Sequence, residues 1–502
     1  MSKRKVIAGL VLATVLAAPA AAQPAPTRDS FFWLGEINKA SAVINSQEGL
    51  LDPALAPGIA AGLDAVLKAG DAPNGKRPAL VITFEPLLIA AAGVDATLLH
   101  AGRSSQDMLS TVRAAMMRDE LLRLAGALQT VTATMVRLAG ANRDTIVPTD
   151  TNGVPAQPDS YGHVLLGHVA GLERDAERLQ QLFARLDRSP MGTAVLNGTG
   201  WPLDRERMAR YLGFPALVDN AYDAAQISAA EMPVEAGAVA TAIALHCGAF
   251  VQDVMAQYGQ PRPWILLREG GGNTYVSSAM PQKRNPGLLN DTRAQASRVV
   301  ALGMGRAIEA HNIPPGMADP KSVGDNAAVI GETVRMLDMW DRALDALEIS
   351  PERGLAALND DWTASEELAD TLMRRHGLPF RVGHHFASEV VDYARANDIR
   401  PSAFPFDQAR RIYGDALRDM KLPGGDLPMT EAEFRAALDP VAIVRARATR
   451  GGPQPAEMTR MLGEADRQVA AEGAWTAGQR QRIDTALASL DADFARLLPP
   501  PR

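Results

Sequence analysis

Ser277-Ser278-Ala279-Met280-Pro281-Gln282-Lys283-Arg284-Asn285-Pro286 stands shortly after a glycine run at Gly270, Gly271 and Gly272. Glycines lack the Cβ restriction, so the chain ahead of this segment is free to change conformation. Pro281 and Pro286 fix φ locally and stiffen the tip. Two hydroxyls, an ammonium and an amide sit on the segment. A mobile loop with a rigid, polar, cationic tip suits a lid that closes over a small anion. Chemistry alone leaves a second possibility open, an ordinary polar surface loop.

Helical patterning surrounds the loop. Leu121, Leu124, Leu128, Val131, Met135 and Leu138 are spaced 3, 4, 3, 4, 3, and Leu165, Val169, Leu172, Ala176, Leu179, Phe183 and Leu186 continue in the same manner. Such spacing puts one apolar seam on each of two long helices and favours near-antiparallel bundle packing. The pattern from Asp107 to Gly140 predicts a helix of roughly 50 Å. Ala236 to Val251 is nearly all apolar, which predicts a helix buried on all sides and too short for a membrane span. Ile330, Val334, Leu337, Leu344 and Leu347 mark another amphipathic helix, and a further helix is expected over Thr476–Leu498. Few segments alternate with period two, so the fold class is all-α. Polar, Gly- and Pro-containing breaks divide the chain into a helical region at 28–106, a central bundle at 107–350, a smaller helical unit at 351–455 and a helical tail at 456–502.

Lys3, Arg4 and Lys5 precede an apolar run from Val6 to Ala18 and a small-residue cleavage pattern at Ala20-Ala21-Ala22. Residues 1–22 therefore read as a secretory signal peptide, and the mature chain is expected in the periplasm or otherwise secreted, with no membrane attachment after cleavage. The single cysteine among 502 residues, Cys247, rules out an internal disulfide framework. It lies in an apolar run and reads as core. The net charge of −7 is spread over interspersed charges of both signs, which suggests no nucleic-acid surface. The histidines are scattered and no metal-site spacing occurs. His163, His168 and the pair His384-His385 read as bundle or surface residues, and Trp33, Trp201 and Trp340 as packing residues.

The loop resembles the Gly-Ser-Ser-x-Met-Pro-x-Lys-x-Asn-Pro signature of the fumarase/aspartase superfamily and departs from it only at the leading glycine, here Val276. Other segments resemble the argininosuccinate lyase branch: His100-Ala-Gly-Arg-Ser-Ser-Gln-Asp107, Gly198-Thr-Gly-Trp-Pro-Leu-Asp-Arg205 with Leu212-Gly-Phe214, and Thr363–Asp370 with Leu378–Arg381. The Ser-Gln-Asp portion is also similar to the carboxymuconate cycloisomerase branch. The resemblance implies a central helical bundle assembled as a homotetramer, with sites shared by three subunits, a small dicarboxylate substrate and no cofactor. It implies that Ser277 is the general base and that Lys283 and Asn285 bind a carboxylate. Ser104, Ser105, Gln106 and Thr151 would hold the dicarboxylate. Ser104 and Ser105 suit N-capping of the long helix equally well. Arg103 suits either substrate contact or a buried structural ion pair.

The chemistry agrees with those roles. Removing a proton beside a carboxylate creates a doubly charged aci-carboxylate, which needs preorganised cations and donors and a base within reach. Several positions depart from the lyase pattern. The histidine tied to leaving-group protonation is Asn152, which cannot donate a titratable proton. An arginine that contacts substrate is Ser228, and the tyrosine and lysine that grip the amino-acid end fall near Met317 and Asp325. The function expected is β-elimination of an N-substituted succinate to fumarate and an amine, or the reverse addition. The alternatives are a carboxymuconate-type cycloisomerase and a non-catalytic exported scaffold.

Overall fold

The computed structural model describes residues 27–500, so the expected signal peptide lies outside the described residues. Helix accounts for 67% and strand for 6%, the all-α class expected. Three helices come first: α1 Ser30–Gln47, α2 Ala56–Asp71 and α3 Val81–Ala92. The long helices α4 Ser105–Ala141 and α5 Tyr161–Leu186 follow, then the short α6 Arg205–Tyr211. The bundle is completed by α7 Ser228–Gln257, α8 Gly287–Ala310 and α9 Val323–Asp345. Next are α10 Pro351–Asn359, α11 Glu366–His376, α12 Phe380–Ala396, α13 Phe406–Asp419, α14 Glu431–Ala437 and α15 Pro440–Ala446. The last helix, α16, spans Pro455–Ala495.

Local sequence explains where the long helices begin. Ser104 Oγ accepts from the Gln106 N–H at 3.2 Å while Asp107 Oδ1 accepts from the Ser104 N–H at 2.8 Å, a reciprocal cap at the head of α4. Side-chain oxygens of Ser160 and Ser322 cap α5 and α9. Leu121, Leu124, Leu128, Val131 and Met135 are buried along α4, which packs on α5 and α9. Helices α7 and α8 approach still more closely, because a Cβ on Gly237 would lie 2.7 Å from the Gly303 carbonyl oxygen. Contact of residue 237 with residue 303 makes the pair antiparallel, so the start of α8 lies toward the end of α7.

A second core, built on Trp362, Leu372, Phe386, Phe404 and Phe434, is formed by α11 to α14. Helix α16 instead returns to the main core, where it packs on α1, α4 and α5. Arg118 of α4 sits at this junction, fully buried. Its guanidinium donates to Asp187 (3.1 Å), the Gly213 carbonyl (2.9 Å) and the Leu212 carbonyl (3.0 Å), and lies over the Phe214 ring at 4.2 Å. Arg482 of α16 bonds the same Asp187 and Gly213 groups.

Several expectations need correction. The run Ala236–Val251 belongs to a longer helical stretch, Asp223–Gln257, which is long and apolar enough to cross a membrane. It packs against α5, α8 and α9, but not on all sides, since Leu245 is 63% exposed. The last helix begins at Pro455, well before Thr476, because no proline follows within the stretch and Met458, Met461, Leu462, Ala465 and Val469 pack it on the main core despite Gly463 and Gly473. Leu347 is not in α9; it opens the short strand Leu347–Ile349, paired with Ile265–Leu267. Trp33 and Trp340 are buried in the core, but Trp201 is half exposed. Cys247 is buried, and that burial pushes its thiol pKa well up.

Candidate active site

The signature loop is a hairpin. Tyr275 pairs with Asn285 and Val276 with Arg284, so the tip at 277–283 projects from a two-rung ladder. Gly270, Gly271 and Gly272 all adopt positive φ (88°, 61° and 80°), a region that side-chain-bearing residues avoid. Asn285 Nδ2 donates to the Tyr275 carbonyl at 3.1 Å, which leaves one amide N–H and the amide oxygen for a ligand. Lys283 is exposed, with its backbone N–H bonded to the Met280 carbonyl. Arg284 is held by Glu269 at 2.8 Å and the Pro281 carbonyl at 2.7 Å.

Ser277 Oγ accepts two backbone N–H groups, from Met280 at 3.1 Å and from Ala279 at 3.4 Å. Hydrogen bonds to the charged form of a group favour that form. Both donors aim at the oxygen that would carry an alkoxide, so the loop supplies part of what a serine base requires.

The second segment lies at the head of α4. Ser104 Oγ accepts within its cap, which leaves its hydroxyl proton for a second partner, Ser105 is half-buried in the first turn, and Gln106 is exposed. Arg103 points the other way. Its Nη1 donates to Ser41 Oγ (2.8 Å) and Nη2 to Asn38 Oδ1 (2.7 Å), which ties α1 to the loop. Burial draws Arg103 down to about 10, opposed by the charges of Asp107 and Glu85, and the side chain stays cationic at neutral pH. Asp107 is fully buried, and its Oδ2 accepts from the backbone of Gly192 (3.1 Å) and Ala194 (3.0 Å). Ala194 and Val195 have φ of 46° and 79°, and for a β-branched valine such a value is strained. Gln226 Nε2 holds the Val195 carbonyl at 3.1 Å. Strained backbone held in this way clusters at functional sites. No hydrophobic period or catalytic residue type marks this loop in the sequence.

The third segment is the hairpin of β1 Ile146–Thr151 and β2 Val154–Ser160. Thr151 pairs with Val154 across a two-residue turn, with Asn152 at φ 54° and Gly153 at φ 74°, the geometry Asn-Gly favours. Asn152 and Thr151 are exposed at its tip. The hairpin overhangs a cleft lined by His168, Asp253 and Trp264. His163 bonds Asp159 at 3.0 Å and His168 lies 3.4 Å from Asp253, so both are bundle residues.

One chain cannot join the three segments around one small molecule. Helix α4 has 37 residues and spans about 55 Å, with Gln106 at its head and the hairpin beyond its end. Ser277 precedes α8, which runs antiparallel to α7 and starts at the hairpin end of the bundle. Two groups the residue pattern did not single out, Arg113 and Lys321, lie near the head of α4 instead.

Comparison with known proteins places this geometry. A lyase family model matches residues 89–301, and an argininosuccinate lyase C-terminal model matches residues 362–445. The argininosuccinate lyase of Leptothrix cholodnii is 32% identical over 393 residues, covering 75% of this chain and 78% of that one. That of Methanosarcina acetivorans is 28% identical over 467 residues, covering 92% and 91%. Among solved structures, EDDS lyase in complex with formate superposes with a TM-score of 0.82 at 24% identity, covering 93% and 92%. The 3-carboxy-cis,cis-muconate lactonizing enzyme of Pseudomonas putida gives 0.62 at 19% identity, covering 87% and 95%. At those identities the two structures speak for the fold alone.

Proposed function

Because the chain belongs to the fumarase/aspartase superfamily of lyases, on its argininosuccinate-lyase-like side, we propose that it eliminates an amine from an N-substituted succinate to release fumarate, or runs the reverse addition. Ser277 takes the proton from the carbon beside a carboxylate. The electron pair moves into the aci-carboxylate and then forms the double bond as the C–N bond breaks. Nitrogen leaves with the C–N pair and takes up a proton. Lys283 and the free amide groups of Asn285 bind the carboxylate on which charge accumulates, and such preorganised donors supply much of the barrier lowering. Gln106, Ser104, Ser105, Thr151 and Asn152 complete the cradle from other copies of the chain, and Arg103 sets the head of α4 in place. A homotetramer meets this need for separate contributions.

The observation that carries the reading is the pair of backbone N–H groups aimed at Ser277 Oγ on a hinged, cationic loop. Fumarate bound in one EDDS lyase variant agrees with a dicarboxylate ligand for this fold. Following fumarate absorbance over a panel of N-substituted aspartates tests the proposal, and a panel-wide absence of fumarate with intact protein would count against it. A cycloisomerase is the second reading, favoured by Asn152 in place of a titratable acid; it predicts lactone from a carboxylated diene and no fumarate.

A further inference from the structure

The clefts beside the head of α4 hold positive charge without a counter-ion. The first, about 810 Å³ counted to its open mouth, lies between α4, α7 and α9 and is lined mainly by apolar side chains, with Arg113, Ser110, Ser228 and Asn326 among them. The second, about 1050 Å³ counted likewise, adjoins it across Met232 and Arg185 and contains Met317 and Lys321. Arg113 is half-buried, and its buried Nη1 has no hydrogen-bond partner. Lys321 is 6% exposed, and its ammonium donates to the Ala225 carbonyl at 3.1 Å. Burial lowers the pKa of both groups, and the charge of Arg113 lowers that of Lys321 further. Two like charges thus act on each other in a partly desolvated space. The acids lining the clefts are engaged elsewhere or open to water. Glu120 is bridged by Arg123, Glu235 by Arg185, and Glu231 is exposed.

A buried cation without a partner is costly, and natural structures pair it. The positions of these two cations are informative. Arg113 shares a cleft with Ser228, where the lyase pattern carries an arginine, and Lys321 shares one with Met317 and stands four residues before Asp325, near which that pattern carries a tyrosine and a lysine. The cationic charge is present in the same clefts but comes from other positions.

We propose that Arg113 and Lys321 hold a carboxylate carried by the leaving amine, so that the substrate is an N-substituted aspartate whose amine portion is itself acidic. This rests on the elimination proposed above. The apolar walls, with Met116, Met117 and Met232, take the carbon chain between the amine and its carboxylate. These residues set specificity; the base and the succinate-binding groups are on the other segments.

The test compares N-(2-carboxyethyl)aspartate with N-propylaspartate, which match in chain length but differ in one carboxylate. The wild-type protein should prefer the acidic substrate in kcat/KM by about tenfold or more, the scale of one hydrogen bond to a charged group. Arg113→Met and Lys321→Met should erase that preference and leave turnover of the neutral substrate nearly unchanged, and Arg113→Lys should keep most of it. Equal losses on both substrates, or a wild-type preference for the neutral one, overturn the assignment. If neither substrate yields fumarate, the elimination reading fails on these compounds, and calorimetry with butyrate decides the site alone. Butyrate binding to wild type that disappears in both methionine variants supports it, and binding that is absent or indifferent to them overturns it. Where turnover is seen, butyrate should compete with substrate; binding without competition would assign the clefts to a separate effector and overturn the leaving-amine assignment.

Discussion

At the scale of single residues, Ser277 is the sharpest case, because its oxygen already receives two N–H groups from its own loop. Ser277→Ala keeps the loop's volume and removes the base. We expect kcat to fall by about 10²–10⁴, the contribution typical of a positioned base, with unchanged circular dichroism. Retention of more than about a tenth of the rate would show that another group takes the proton. Lys283→Met retains most of the stem and removes the charge, so it should weaken binding of succinate, an unreactive dicarboxylate, in calorimetry as well as turnover. Ser277, Lys283 and Asn285 can be picked out from the sequence because the string that carries them resembles a family signature, whereas the residue types alone leave an ordinary polar loop open. Arg113 and Lys321 cannot. An arginine two turns into a long helix looks like any solvated helix position, and only the fold reveals that its guanidinium enters a cleft without a partner. Ser104 is ambiguous for a similar reason, since a hydroxyl before a helix caps it whether or not it also meets a ligand.

At the scale of elements, the junction around Arg118 and the docking of α16 are the places where stability should respond most. Arg118→Met leaves the Leu212 carbonyl unsatisfied and removes one of the two arginines on Asp187 and on the Gly213 carbonyl, and breaking a buried pair costs about 3–5 kcal/mol. A large fall in thermal midpoint is expected. Arg482→Met should cost much less, since its side chain is 32% exposed and Arg118 still serves Asp187. Glu472 adds a pH term. Burial, assisted by the negative charge of Glu173 and opposed by the Gln468 hydrogen bond, pushes its carboxyl up to about 7. The folded value lies above the unfolded one, so the neutral buried acid contributes full stability below the unfolded value, near 4.5, and loses it as pH rises through about 7. Thermal melts should therefore weaken from pH 5 to pH 8, and Glu472→Gln should flatten that dependence. An unchanged pH profile in the variant would place the titration elsewhere. The long helices are legible in the sequence because buried seams on α4 and α5 repeat at 3 and 4 residues. The helical tail expected at 456–502 carries such a row too, at Met458, Met461, Leu462, Ala465 and Val469, but its unbroken course from Pro455 is less legible because Gly463 and Gly473 lie within it. Leu245 shows the converse limit. Apolar composition marks a face to be covered, but one chain leaves it open.

At the scale of the whole molecule, geometry separates groups that the chemistry needs together. Gln106 lies at the head of α4, the Thr151–Asn152 tip lies beyond its far end, and Ser277 sits before α8 at that same far end of the bundle. Helix α8 alone spans about 36 Å, several times the length of a dicarboxylate. If the protein is the enzyme proposed, each site must take Ser277 and Gln106 from different copies. This yields a prediction that no single-chain site can satisfy. Ser277→Ala and Gln106→Ala proteins, each inactive alone, should regain activity when unfolded, mixed in equal amounts and refolded together. In random hybrids a site draws an intact Ser277 from one parent and an intact Gln106 from the other in about one case in four, so recovery should approach roughly a quarter of the wild-type rate. Light scattering on the same samples should report a tetramer. Hybrids that form but stay inactive would place both residues in a site made by one chain, and the separation along α4 and α8 would then have to be closed by a rearrangement of the bundle itself.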